Sequence, residues 1–161
     1  MLSIVIPTLN EEQHIKKLLH QLAAQKNLSF EVIVSDGGSE DATLKIAENM
    51  KATIVSGEPG RGRQLNEGTL HAKGEYFLFL HADSEIENRL QLKNALDLME
   101  GFTQPSAGHF KINFFCEDPK VKKFLSFFEW KSFFNREGTF SGDQGLLISR
   151  KDFDSFGHFS E

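Results

Sequence analysis

A histidine and two acids stand where a strand gives out. In "YFLFLHADSE", Tyr76 to Glu85, five apolar or aromatic residues run straight into His81, Ala82 and Asp83. A continuous apolar run suits a strand covered on both faces of a parallel sheet. Open parallel sheets bind ligands outside the carboxyl ends of their strands. Asp83 is therefore expected at the mouth of a crevice, where a carboxylate beside a diphosphate can hold Mg2+ or Mn2+. Two further strand ends carry acids: "PTLNEE" brings Glu11, and "SDGGSED" brings Asp36 and Asp41. Such acids accept hydrogen bonds from a base or a ribose. "GRGRQLNEG" sets Arg61 and Arg63 on a flexible glycine segment beside a helix start, where guanidinium forks and backbone N–H groups suit a diphosphate. Each signal also has a plainer alternative. Glu11 and Asp41 read equally as helix-start acids, Asp36-Gly37 as a turn, the arginines as a solvated basic turn, Asp83 as a helix cap and His81 as a core-edge side chain. Convergence of two acidic strand ends on one sheet edge favours a ligand. His109 and His158 can be structural, and no zinc spacing occurs.

Positioning these residues requires strands alternating with helices. "LSIVIP" is a buried strand stopped by Pro7, and Asn10 is placed to cap the next helix, with Glu11 and Glu12 in its first turn. Ile15, Leu18, Leu19, Leu22 and Ala23 recur at helical spacing. "FEVIVSD" (Phe30–Asp36) is a second strand, followed by a helix that Ser39 or Asp41 can cap and whose inner face is Thr43, Ile46, Ala47 and Met50. "ATIVS" (Ala52–Ser56) and "YFLFL" are strands three and four, with a helix between them that ends before Gly74. Leu92, Ala95, Leu96 and Met99 mark another helix, closed by Gly101. This alternation predicts an α/β fold, mostly parallel, with helices on both faces. After Pro105 the pattern changes. Phe110, Ile112 and Phe114 alternate with His109, Lys111 and Asn113, which predicts a half-buried, antiparallel strand. Asp118-Pro119 starts a helix, and "QGLLISR" (Gln144–Arg150) is a last strand.

Composition narrows the partners. The 161 residues suffice for one domain with a real core. A formal charge of −5 leaves no basic excess for a nucleic-acid backbone. The single cysteine, Cys116, allows no internal disulfide, which points to a reducing cytoplasm. "MLSIVIP" has no basic region or cleavage site of a signal peptide, and no apolar run approaches the ~20 residues of a membrane span. No G-x-G-x-x-G follows the first strand and no P-loop occurs.

"SIVIPTLNEE", "EVIVSDGGSEDAT", "GRGRQLNEG" and "FLFLHADSE" together resemble, in order and spacing, the nucleotide-sugar half of family 2 glycosyltransferases with the GT-A fold. "FSGDQGLLISRKDFDSFGHF" resembles a further region. The nearest flavour is the small soluble subgroup with "HAD" in place of D-x-D, linked to arsenosugar biosynthesis. The resemblance implies one GT-A-like, Rossmann-like domain over 1–161, with 1–100 as the nucleotide-sugar half and 101–161 as a partial acceptor half. It implies a nucleoside diphosphate sugar donor, an unidentified acceptor, inversion at the anomeric carbon and a divalent cation, Mn2+ or Mg2+. Pro7, Thr8, Asn10 and Glu11 match the nucleoside pocket, and Asp36 the acid that meets base or ribose. Arg61, Arg63 and Asn66 match the approach to the diphosphate. Asp83 matches the metal ligand. Ala82 lies between it and His81, which replaces the family's first acid and removes one carboxylate from the metal site. A sugar nucleotidyltransferase is the rival enzyme, but "PTLNEE" is not its glycine-rich loop.

On the acceptor side, Asp143 in "GDQ" is the acid expected near the reacting carbon, with a turn aspartate as the alternative. The aromatic stretch Phe124–Phe134, with Trp130, is expected to pack mainly under the acceptor loops. An apolar acceptor, a peripheral membrane contact or a second copy of the chain are its other occupants. Lys122, Lys123 and Lys131 are too few to mark an anionic-lipid helix. "FDSFGHFSE" resembles the family's "GGF" segment, after which a Glu-Asp pair supplies the base. The chain is therefore expected to be a shortened transferase that binds donor, transfers poorly and dimerises, or uses Asp143 or Glu161 as a substitute base.

Overall fold

The computed structural model describes residues 1–111, 113–114, 118–132 and 145–160. Four strands and four helices alternate first: β1 (Leu2–Thr8), α1 (Ile15–Ala23), β2 (Phe30–Asp36), α2 (Thr43–Asn49), β3 (Thr53–Ser56), α3 (Arg61–Leu70), β4 (Tyr76–Phe79) and α4 (Gln91–Glu100). Then come β5 (Ala107–His109), α5 (Pro119–Lys131), β6 (Leu146–Ser149) and α6 (Arg150–Phe156). The sheet order is β3-β2-β1-β4-β6-β5. β1 pairs in parallel with β2 and β4, and β2 with β3. β6 runs antiparallel to both β4 and β5. The chain winds outward through β2 and β3 and then returns to the other side of β1. The strand order therefore reverses between β1 and β4, the position where open sheets leave a crevice.

The apolar strands bury both faces, as continuous runs must. Leu2, Ile4 and Ile6 of β1 point one way and join Val34, Leu78 and Leu80 beneath Ile15, Leu18, Leu19 and Leu22 of α1 and Leu92 of α4. Val5 points the other way, with Ile33, Phe77, Phe79 and Ile148, against Leu65 of α3 and Phe153 of α6. Rings of Phe77, Phe79 and Phe153 meet at 5.2–6.0 Å between centroids. Arg150 ties the second face to the chain before β4. Its guanidinium lies 4.6 Å from the Phe77 ring centre and donates to the carbonyls of Ala72 and Gly74. α3 lies close over β1: a Cβ at Gly68 would stand 2.4 Å from Val5 Cγ1.

Several expectations are corrected. Asn10 does not cap α1. Its φ is +57°, a left-handed conformation that Asn tolerates better than most residues, and α1 begins after His14, without a side-chain cap or an acid in its first turn. Neither Ser39 nor Asp41 caps α2, whose N-cap is Ala42 without a side-chain bond; Asp41 sits one residue earlier and accepts from Thr43 N at 2.9 Å. Arg61 and Arg63 sit in the first turn of α3 rather than on a flexible segment. The expected strand through Phe110, Ile112 and Phe114 ends at His109, although its antiparallel sense holds; Ile112 is outside the described residues. Asp118 caps α5 as expected, accepting from Lys120 N at 2.8 Å. No residue of α5 is buried, so its aromatics do not pack as core.

Candidate functional site

A crevice of about 590 Å³ opens at the carboxyl ends of β1 and β4. Pro7 closes one side, and Phe79, Leu80 and His81 form the floor. Arg61, Gly62 and Leu65 of α3 face Ala107, Gly108 and His109 of β5, with Gly145 and Leu146 beside them. Phe159 and Ser160 complete the wall. The N-terminus of α3 meets this space without a side-chain cap, because Gly60 precedes it. Its orphan N–H groups and dipole favour an anion there, and Arg61 adds a guanidinium.

Pro7, Arg61 and His81 are the sequence-predicted residues that the crevice gathers. Thr8 and Asp36, at the ends of β1 and β2, do not line it and are joined to each other. The Asp36 carboxylate accepts from Thr8 Oγ1 at 2.9 Å, from Gly38 N at 2.9 Å, from Ser39 N at 2.7 Å and from Ser39 Oγ. A carboxylate has about four lone-pair sites, and these donors fill them. Burial pushes the Asp36 pKa up, but the bonds from Ser39, Thr8 and Gly38 outweigh it and hold the group below its ordinary value.

The loops after β1 and β2 are knitted to each other. Asn10 N donates to Ser39 Oγ, Glu11 N to Thr43 Oγ1 and Glu12 N to Asp41. Glu40 N and Ala42 N donate in return to the side chains of Asn10 and Glu12. The Glu11 carboxylate lies 3.0 Å from His14 Nδ1. The two acidic strand ends thus converge, as expected from sequence, and their polar groups hold one another.

Asn66 carries out a task the sequence did not reveal. Its Nδ2 donates to Phe159 O at 2.9 Å and its Oδ1 accepts from Phe159 N at 3.0 Å. Both ends of the amide pin the crevice wall to α3, and the Phe159 ring then meets Phe79 edge-on at 4.9 Å. Asn66→Ala is expected to lower the melting temperature by a few degrees, from two lost bonds of about 1 kcal/mol each. Asn66→Asp, which keeps only the acceptor, should retain about half of the stabilisation; equal melting of both variants and wild type would show that the pin is idle.

Ala82 is buried in the larger core cluster, so only its backbone can reach a ligand. Asp83 is exposed in a turn closed by Ser84 N donating to His81 O at 3.1 Å. Among the described residues, no three His, Cys, Asp or Glu side chains converge to hold a metal. His81 and Asp83 are two donors with one negative charge. That set fits a cation that takes its remaining ligands from water and phosphate oxygens. Asp143 lies outside the described residues. His109, Leu65 and Phe159 were missed as wall residues. Leu65 reads in sequence as an ordinary helix core position, and His109 reaches the crevice only through the pairing of β5 with β6 and of β6 with β4, which no local pattern announces.

The model of "Glycosyl transferase family 2" matches residues 3–153. Poly(ribitol-phosphate) beta-N-acetylglucosaminyltransferase TarS of Staphylococcus aureus is 39% identical over 104 residues, which cover 58% of this chain and 18% of that protein. The structure of S. aureus TarS 1-349 in complex with UDP-GlcNAc aligns with a TM-score of 0.63 at 29% identity, over 73% of this chain and 36% of that one. Mannosyltransferase PcManGT from Pyrobaculum calidifontis, in complex with GDP-Man and Mn2+, aligns with a TM-score of 0.74 over 99% of this chain and 47% of that one. At 19% identity this last likeness is one of fold. The chain thus spans less than half the length of these relatives. The family match runs from β1 into α6, leaving out a single residue of the sheet, and the chain accordingly belongs to glycosyl transferase family 2, with a GT-A fold.

Proposed function

We propose that the chain binds a nucleoside diphosphate sugar in the crevice between β1, β4 and α3 and transfers its sugar, with inversion, to an acceptor hydroxyl. The observation that carries this is the uncapped N-terminus of a ten-residue helix, with Arg61, opening into a crevice at the reversal of strand order. The diphosphate lies at α3, near Arg61 and Arg63. The nucleoside lies along the joined loops of Pro7, Thr8, Asn10 and Glu11, which Asp36 supports from behind. His81 and Asp83 hold Mn2+ or Mg2+ together with the diphosphate, and the cation supplies charge neutralisation for the departing nucleotide. Asp143 is the carboxylate we assign as acceptor base. The relative TarS, solved with UDP-GlcNAc, supports this donor class. The lone cysteine fits a cytoplasmic enzyme.

Thermal shift with UDP and GDP, with and without Mn2+, tests the reading. At about 100 times Kd a ligand adds ~2.7 kcal/mol, or roughly 5–10 °C for a chain of this size. Arg61→Ala should lose most of that shift. Asp83→Ala should abolish its Mn2+ dependence, and His81→Ala should only reduce it, because Asp83 carries the charge. No shift with any nucleotide, or a full Mn2+ response in Asp83→Ala, would overturn the donor site or the cation site respectively.

A further inference from the structure

We infer that α5 is a docking helix for the surface of an anionic lipid bilayer. Its apolar side chains stand in solvent: Phe124 is 65% exposed, and Phe127 and Trp130 are each 57% exposed. Their rings touch one another along the surface, Phe124 and Phe127 each against Phe128, and Phe127 against Trp130, at 5.3–6.1 Å. At 3.6 residues per turn, Trp130, Phe127, Phe124 and Phe128 fall within roughly half of the helix surface. Lys123, Lys120 and Lys131 fall in that same half. Val121, Lys122, Leu125, Ser126 and Glu129 fall in the other half, where Leu125 and Glu129 are half-buried and Glu129 accepts from Phe114 N at 2.7 Å.

The exposed face thus mixes aromatics with three lysines and carries no acid, on a chain whose formal charge is −5. Counting lysines along the sequence understated this, because Lys120 joins the face and Lys122 leaves it. Aromatic rings can enter the headgroup boundary while the lysine stems lie along them and carry their ammonium groups up to lipid phosphates. Thirteen residues span ~20 Å, short of a bilayer core of ~30 Å, so the helix lies on the surface. A second copy of this chain is the poorer occupant. A two-fold pairing sets the same face against itself, and three lysines would meet three lysines.

The single tryptophan of the chain is Trp130, so its fluorescence reports on this face alone. The whole chain, without nucleotide, is mixed with vesicles of phosphatidylcholine or of phosphatidylcholine with phosphatidylglycerol. Expected are a blue-shifted Trp130 emission and co-sedimentation with the anionic vesicles, both weakened by salt. Replacing Lys120, Lys123 and Lys131 by Ala should weaken partitioning on the order of 10²-fold, each lysine near an anionic surface contributing about fivefold. Phe124→Ser with Phe127→Ser should remove the blue shift. Lys120, Lys123, Phe124 and Phe127 are exposed and Lys131 is half-buried with none of the core upon it, so thermal unfolding should be nearly unchanged and serves as the control. Equal binding to neutral vesicles, or no vesicle binding with concentration-dependent self-association instead, would overturn the inference. Because no nucleotide is present, failure here leaves the donor reading standing, and the reverse holds too.

Discussion

Replacing Asp36 by alanine is expected to lower stability by about 3 kcal/mol, a drop of roughly 6–12 °C in melting temperature. The carboxylate is 1% exposed and accepts from the hydroxyls of Thr8 and Ser39 and the N–H groups of Gly38 and Ser39. Alanine removes one charge-assisted network and strands the buried Thr8 hydroxyl, itself 2% exposed. Water can re-satisfy the two N–H groups near the surface, which keeps the loss below the sum of four bonds. The effect must also depend on pH. The folded pKa lies below the unfolded value near 4, so the unfolded chain takes up the proton first on acidification. The Asp36 contribution is therefore fully present above about pH 4 and lost as pH falls from there through the folded pKa. Melting curves of wild type and Asp36→Ala should be well separated at neutral pH and draw together in acid. A constant gap across that range would mean that Asp36 acts by volume rather than by charge.

Two glycines of α3 should fail in different ways when changed to alanine. A Cβ at Gly62 would stand 2.1 Å from the Ser160 carbonyl oxygen. The backbone carrying that oxygen must move, and the Phe159 ring must follow it out of its contacts with Phe79 and Phe153. Gly62→Ala is thus expected to open the crevice wall, abolishing most of the nucleotide-induced thermal shift, with a stability loss of about 1 kcal/mol. At Gly68 the clash is with Val5, fully buried in β1, at 2.4 Å. There α3 itself must lift from the sheet, an overpacking cost of about 1–3 kcal/mol. Gly68→Ala should melt earlier yet keep a nucleotide shift, measured below its melting range. The same loss of ligand response in both variants would dissociate the wall segment from donor binding.

The residues show why part of this was legible and part was not. Strands β1 to β4 and their helices follow from local signals: an apolar run long enough to be covered on both sides, and Ile15, Leu18, Leu19 and Leu22 at helical spacing. The crevice edge followed from the same signals, since parallel strands share one carboxyl end. The partners of each polar group did not. Nothing local says that Asn10 and Glu12 will bind the loop after β2, or that Asn66 will hold Phe159, 93 residues away. The phenylalanines after residue 109 look alike in sequence. Phe153 became core, because β6 delivers α6 onto the sheet, while Phe124 became surface on a helix with no buried residue.

The crossing back of β6 beside β4 also sets a clock on the protein's own synthesis. The floor of the crevice is made when His81 emerges, but its far wall waits for Gly145 to Ser160. At about 5–20 residues per second, the 78 residues from Ala82 to Phe159 take roughly 4–16 s to translate. During that interval β4 is an open sheet edge, with Phe77, Phe79 and Leu78 awaiting β6. The nascent chain is then without a complete crevice and is most open to pairing with a neighbour on the same message. Shielding of that apolar edge until β6 arrives should therefore govern how much of the chain survives to fold.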